Sequence, residues 1–371
     1  MKVVLEHAQT SARLIAFYLP QFHPIPENDE WWGKGFTEWT NTAKARPLFR
    51  GHMQPHIPAD LGFYDLRLPE TRIAQADMAR QYGIEGFCYW HYWFAGKRLI
   101  ERPFNEVLAS GEPDFPFCLG WANQTWSGIW HGDPNRILIE QTYPGVADYT
   151  NHFNAILPAL ADNRYMRVDG KPLFVIYCPW ELPNPREFTD CWRSLAEKAG
   201  IGDLFFVGRA PEDWIPQDHG FDGSFTWRSY VSARSARPMH VILDKTRERI
   251  AGRVKRYFSP KPTVLQYRDV VERAFLLEPN RPDRFPVVVP NWDNTPRSGT
   301  RGLVFRNSTP ELFGDYLRTA ITRVADRDPQ QRIVFVKSWN EWAEGNYLEP
   351  DTEYGHAYLE VMREVSNDAQ T

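Results

Sequence analysis

The stretch Ile333-Val334-Phe335-Val336-Lys337-Ser338-Trp339-Asn340-Glu341-Trp342-Ala343-Glu344-Gly345 reads as a buried strand running out into a loop that holds two carboxylates among tryptophans. Four consecutive apolar residues, three of them Ile or Val and Phe the other, suit a strand covered on both faces. Glu341 and Glu344, three positions apart, can be presented to one cleft. There one carboxyl can stay protonated as a general acid while its neighbour stays ionised, which is the demand of glycosidic-bond chemistry. The plainer reading is a polar loop after a strand. The flanking aromatic rings favour a pocket, since binding sites combine apolar walls with a few placed polar groups.

Seven further apolar or aromatic runs precede this one, at residues 14–19, 84–90, 115–121, 172–177, 204–207, 222–226 and 285–289, and the eighth spans 332–337. Helical patterns fill many of the gaps: 69–79 leading to Gly83 as a C-cap, 188–198 leading to Gly200, 310–325, and 354–365 after the last run. Eight strands with intervening helices predict an α/β fold, a (β/α)8 TIM barrel, with residues 1–371 as one catalytic domain. A doubly wound open sheet is the alternative. The segments 21–68, 122–168 and 227–284 are longer than ordinary connections, so the barrel is expected to carry long loops after strands one, three and six, the last including a basic stretch at 244–256. Loops that follow the strands emerge on one face, where the chemistry of such barrels is done.

Composition narrows the function. The 371 residues carry a net charge of -4 with Lys and Arg scattered, which argues against nucleic acid as a partner. Aromatic residues reach 15%, including fifteen Trp, many beside polar residues and glycines, as in surfaces that stack on sugar rings. Cys88, Cys118, Cys178 and Cys191 show neither CxxC spacing nor a disulfide framework. No run approaches the ~18 apolar residues that span a bilayer, and the first residues are too polar for a signal peptide, so no membrane insertion and a cytoplasmic location are expected. A dinucleotide fingerprint, a Walker loop and a GxSxG elbow are all absent from the sequence. No metal and no cofactor are expected, and the oligomeric state is open.

In a barrel the strand ends name the pocket. They offer Tyr18; Trp90 and His91; Trp121, Asn123, Gln124 and Trp126, then His131; Tyr177; Arg209; Trp292 and Asp293; and Asn340 and Trp342 beside the glutamates. These are the expected sugar-contacting residues, with Glu341 and Glu344 catalytic. For His91 and His131 the alternative is an ordinary structural histidine. For Asp293 it is a salt pair with Arg297 across a turn. Glu344, close to Trp342 and Tyr347, is expected to have its pKa raised by burial.

From Trp339 through Pro350 the sequence resembles the signature of the WbsX-type, family 99-like glycoside hydrolase domain. Phe17-Tyr18-Leu19-Pro20-Gln21-Phe22-His23, Gly35-Phe36-Thr37-Glu38-Trp39-Thr40-Asn41, Trp121-Ala122-Asn123, Gly170-Lys171-Pro172-Leu173-Phe174 and Asn294-Thr295-Pro296-Arg297 match it too, so the resemblance runs over nearly the whole chain. It implies a (β/α)8 barrel and kinship with the family 99 endo-α-mannosidases, which retain anomeric configuration. It further implies Glu341 as a base on the substrate's own 2-hydroxyl, which closes a 1,2-anhydro sugar, and Glu344 as acid/base. Gln124 departs from the pattern: many relatives have Glu there, which puts a shared substrate in doubt.

The expected function is therefore a retaining, endo-acting α-glycoside hydrolase. Back-side attack by O2 needs O2 and the leaving group on opposite faces, so the expected substrates are α-manno-configured linkages, of mannose or D-rhamnose, in a bacterial polysaccharide such as an O-antigen or mannan-like chain. The alternatives are a glycosyltransferase or transglycosylase of lipopolysaccharide assembly and a carbohydrate-binding barrel without catalysis.

Overall fold

A computed structural model describes residues 12–128, 133–211, 213–226, 261–276 and 278–368. His131 and the basic stretch 244–256 lie outside them. The strands that make the barrel are β1 (Arg13–Tyr18), β2 (Gly86–His91), β3 (Phe117–Trp121), β4 (Lys171–Ile176), β5 (Phe205–Arg209), β6 (Gly223–Phe225), β7 (Arg284–Phe285), β8 (Val287–Val288) and β9 (Ile333–Val336). They pair in parallel in the order β7-β6-β5-β4-β3-β2-β1-β9-β8. Each of the eight runs read from the sequence holds a strand.

The seventh run is split. β7 pairs with β6 (Phe225 opposite Phe285), and β8 pairs with β9 (Val287 opposite Phe335). Pro286 lies between them. It has no N–H to give a ladder, but its carbonyl accepts from the Phe335 N–H at 3.0 Å. The two segments thus bring the sheet round into a nearly closed parallel barrel.

Side chains alternate between the barrel interior and the helix layer. Phe17, Trp90, Phe225 and Phe335 point inward: Phe17 stacks on Trp90 at 4.8 Å and on Phe335 at 5.4 Å, and Phe225 packs on Phe335 at 5.2 Å. Gly120 makes room for this layer, since a Cβ there would stand 3.1 Å from the Trp90 ring.

The described α-helices of seven or more residues are α1 (Pro26–Trp32), α2 (Glu38–Lys44), α3 (Pro69–Gln81), α4 (Arg102–Ser110), α5 (Val146–Leu160), α6 (Pro185–Lys198), α7 (Tyr267–Arg273), α8 (Pro310–Thr322) and α9 (Ala357–Asp368). Two of them start by the same chemistry. Asn184 and Thr309 accept from backbone N–H groups of the first turn, and a proline follows each at the first helical position. The sequence reading found α3, α6, α8 and α9. It passed over α4, α5, α7 and the two short helices of the first long loop. Among the described residues no helix is long and apolar enough to cross a membrane.

Candidate active site

β9 delivers the glutamates. Lys337 follows it directly, and the chain then folds into a small hairpin in which Asn340–Glu341 pairs antiparallel with Asn346–Tyr347 around a 3-10 turn, Trp342–Glu344. Ser338 fastens its base: its hydroxyl donates to the Asn346 carbonyl at 2.6 Å and accepts from the Glu341 N–H at 3.0 Å. Gly345 closes the turn at φ 65°, a left-handed conformation that favours glycine. Beneath the hairpin, Trp342 stacks on Tyr347 at 3.8 Å and donates to Glu349 at 2.7 Å. Glu349 also accepts from Gln75 at 2.6 Å and Tyr64 at 2.9 Å, and burial pushes its pKa up to about 7. This third glutamate buttresses the hairpin.

Above the hairpin opens a cavity of about 470 Å³, at the ends of the strands. Glu341 and Glu344 both line it, together with Trp90, Trp126, Trp292 and Tyr177. The Lys337 ammonium stands 3.0 Å from Glu341 Oε1 and 3.4 Å from Glu344 Oε2. Arg297 reaches Glu344 Oε1 at 2.7 Å with one nitrogen and Glu38 Oε1 at 2.8 Å with another. Trp90 Nε1 donates to Glu341 Oε1 at 3.1 Å.

The environments of the two carboxyls push them apart. Burial raises Glu341 to about 7 against the pull of Lys337, and the negative Glu344 adds to the rise. Burial would raise Glu344 too, but Lys337 and Arg297, with hydrogen bonds from Glu341 and Asn346, bring it down to about 2. The pair titrates as a unit, joined by a side-chain hydrogen bond, with Glu341 the more readily protonated member. The sequence reading put the raised pKa on Glu344. The order is reversed because Arg297 ends on Glu344.

The predicted sugar contacts divide cleanly. Trp90, Gln124, Trp126, Tyr177, Arg209 and Trp292 line the cavity, Gln124 exposed at its rim. The Arg209 guanidinium lies 4.0 Å from the Tyr177 ring centre and 4.7 Å from that of Trp180. It also donates to the Tyr177 carbonyl at 3.0 Å, so its place on the cavity wall is held.

The others face elsewhere. Tyr18 is buried and donates to Gln75 at 2.7 Å. His91 faces α5, where its Nε2 meets His152 Nε2 at 2.8 Å, and burial pushes both imidazoles well down. Trp121 is buried against Phe188 of α6 and donates to the Trp93 carbonyl. Asn123 clasps Cys178, accepting from its N–H at 2.7 Å and donating to its carbonyl at 2.8 Å. Asn340 holds Leu19 by the same two-way grip. Trp342 lies under the hairpin.

Asp293 does not pair with Arg297. Its carboxylate meets His52 Nε2 at 2.6 Å and accepts from Gln54 at 2.8 Å and the Thr295 hydroxyl at 2.6 Å. Its backbone N–H donates to the Glu344 carbonyl at 2.7 Å. It borders a second, smaller cavity of about 120 Å³ behind the hairpin.

Sequence reasoning did not nominate Lys337, Glu38, Asn28 and Asn41, all of which line the main cavity. Lys337 carried a signal, a charge directly after a buried strand. Glu38 and Asn41 lay within the segment 35–41 already matched to the family.

A family model described as "Glycosyltransferase WbsX" matches residues 14–362. The chain belongs to the WbsX family. Two strains of Xanthomonas campestris pv. campestris, ATCC 33913 and B100, carry an "Uncharacterized protein WxcX" that is 41% identical over 363 residues, covering 95% of this chain and 49% of that protein. This WbsX chain thus spans about half the length of the curated relatives it matches. Among solved structures, a "Glycoside hydrolase-like protein" superposes with a TM-score of 0.60 at 16% identity, covering 98% of this chain and 96% of its own. The GH99 endo-alpha-mannosidase from Bacteroides thetaiotaomicron superposes with a TM-score of 0.56 at 15% identity, covering 96% and 97%. At such identities the likeness is one of fold. The WbsX chain therefore shares the barrel fold of these two proteins.

Proposed function

We propose that the cavity cleaves α-manno-configured glycosidic bonds, of mannose or D-rhamnose, within a bacterial polysaccharide, with retention of configuration. The observation that carries this reading is the buried pair Glu341 and Glu344, both lining an aromatic-walled cavity and both within 3.4 Å of the Lys337 ammonium. The resemblance of Trp339 through Pro350 to the family 99-like signature supports Glu341 as the base and Glu344 as the acid/base.

The steps follow from those roles. Glu341 takes the proton of the 2-hydroxyl, O2 attacks the anomeric carbon, and the bond to the leaving oxygen breaks as Glu344 protonates that oxygen. Glu344, now a carboxylate, takes a proton from water. The water oxygen attacks the anomeric carbon, and the C1–O2 bond opens as Glu341 returns its proton to O2. Of the two carboxyls Glu341 is the more readily protonated. Bound sugar must draw the proton across the hydrogen bond onto Glu344, leaving one proton on the pair throughout. Lys337 and Arg297 stabilise the negative charge that stays behind.

The second reading is a glycosyltransferase or transglycosylase, which the family's description favours. The one Asp-x-Asp sequence in the chain, Asp326-Arg327-Asp328, lies just before β9, at the barrel end opposite the cavity. That position does not suit a sugar-nucleotide site in the cavity.

The test is incubation with α-mannan and α-D-rhamnan in water without any nucleotide sugar. Shorter oligosaccharides are expected, and Glu341→Gln and Glu344→Gln should each lower their release at least about 1,000-fold, taking general acid–base catalysis at 10²–10⁴. An aryl glycoside with a good leaving group should rescue Glu344→Gln but not Glu341→Gln. The opposite rescue exchanges the roles. No release, with transfer once a nucleotide donor is supplied, sinks hydrolysis.

A further inference from the structure

The first long loop carries two short helices against the cavity. On α1, Asn28 and Trp32 are four residues apart and both line it. On α2, Glu38 and Asn41 are three apart and both line it. The placement of α2 is fixed from three sides. Thr37 and Thr40 form a capping box at its start, and Trp39 packs on Trp342 at 5.4 Å, toward the glutamate hairpin. Glu38 is tied to Arg297, which also grips Glu344. Asn41 is therefore held at a set position relative to the proposed catalytic pair.

Both asparagines are buried, Asn28 wholly and Asn41 to 4% exposure. Among the described residues neither the carbonyl oxygen nor the amide nitrogen of Asn28 has a hydrogen-bond partner, nor has the carbonyl oxygen of Asn41. Buried side-chain amides are nearly always paired, and leaving one open is costly. Two such amides on the same loop, both on the wall of the same polar and aromatic cavity, are suited to an occupant that brings its own hydroxyls. An amide offers one acceptor and one two-proton donor. That matches adjacent hydroxyls on a sugar ring, each of which can both give and receive.

We propose that Asn28 and Asn41 form a hydroxyl-reading subsite that decides which sugar ring is accepted beside Glu341 and Glu344. The proposal rests on the reading of the cavity as a carbohydrate site, but not on cleavage. Asn28 takes a pair of adjacent ring hydroxyls through both ends of its amide, and the Asn41 carbonyl oxygen accepts a hydrogen bond from a third. A ring that lacks one of these hydroxyls, or carries it with the other configuration, leaves an amide buried and open. It is rejected for that reason, a stronger discrimination than apolar shape alone gives.

The test is calorimetric titration of oligosaccharides from α-mannan and α-D-rhamnan, and of their monodeoxy derivatives, into the full chain in the Glu341→Gln background, so that the ligand is not consumed. Asn28→Leu and Asn41→Leu are expected to weaken binding by about ten-fold each. The loss should vanish for the monodeoxy ligand that lacks the partner hydroxyl, which is the signature of a direct pair. Melting temperature separates this role from a structural one. Removing an unpaired buried amide should leave Tm level or higher, whereas removing a structural bond lowers it. Unchanged affinity in both variants overturns the subsite, as does an equal loss for every deoxy ligand together with a lowered Tm. Binding by the chain without any cleavage by the unsubstituted protein sinks the hydrolase and leaves the subsite standing. No binding of any of these oligosaccharides overturns both.

Discussion

Lys337 is the residue on which the proposed chemistry turns. Its ammonium is within 3.4 Å of both catalytic candidates and lies over the Trp292 ring at 5.4 Å. Burial works against its charge, but the two glutamates overcome this and raise its pKa, so it stays protonated. The proposed active form of the pair carries one proton. That form exists between the lower value, about 2, and the upper, about 7. Activity should therefore be level between these two values and fall about ten-fold per unit above about pH 7, as the last proton leaves. Lys337→Met removes a cation that favours the ionised pair, so the last proton is held more tightly and the alkaline limb of kcat/KM should move to higher pH by at least about one unit. Glu349 also titrates near 7, yet it sits under the hairpin and not against Lys337. A limb that stays in place in Lys337→Met would assign the titration to Glu349 or another group, and would remove Lys337 from the mechanism.

The glutamate hairpin is the element that converts strand position into carboxylate geometry, and Gly345 is its tightest point. A Cβ there would lie 2.6 Å from the Asp293 backbone nitrogen, the atom that donates to the Glu344 carbonyl. Gly345→Ala adds this clash to a left-handed backbone that itself costs about 1–2 kcal/mol for an L side chain. A loss of at least about 2 kcal/mol in urea unfolding is expected, with activity falling more than stability because Glu344 is displaced. A variant as stable and as active as the parent would mean that the hairpin is not rigid. The same element shows where sequence reading reached and where it stopped. Apolar runs marked the strands, and the residues after them marked the cavity end. Which side a strand-end residue faces depends on a single step of register. Trp90 points in and donates to Glu341, while His91 points out to His152. Asn123 and Asn340 have the polar character of binding residues but are spent on backbone groups of neighbouring strand ends. Local sequence carries no mark of that choice.

Across the whole molecule, the mouth of the barrel is laced together by contacts between distant segments. Glu38 and Arg297 are 259 positions apart, and through Arg297 the first loop is joined to Glu344. Pairings of this kind were the least legible part of the site. The barrel itself follows from strand count and order, but which loop returns a charge to which strand end is settled by closure of the sheet. The reading that paired Arg297 with its near neighbour Asp293 shows the difference: Asp293 instead meets His52 and Gln54 from the first loop. The lacing has a thermodynamic consequence. Arg297→Met leaves Glu38 and Glu344 buried without their guanidinium and should cost about 3–5 kcal/mol of stability. Adding Glu38→Met removes one stranded carboxylate and supplies apolar volume, and urea unfolding should then show about 2 kcal/mol or more regained, since well-packed apolar replacements of buried ion pairs are often neutral or stabilising. Cleavage should not return, because Glu344 still lacks the guanidinium that stabilises its charge once it has protonated the leaving oxygen. A double variant no more stable than Arg297→Met would mean that Glu38 bears no unpaired charge in its absence. A double variant that regains cleavage would show that the guanidinium serves only to pin the first loop, and that Lys337 alone sets the charge of the pair.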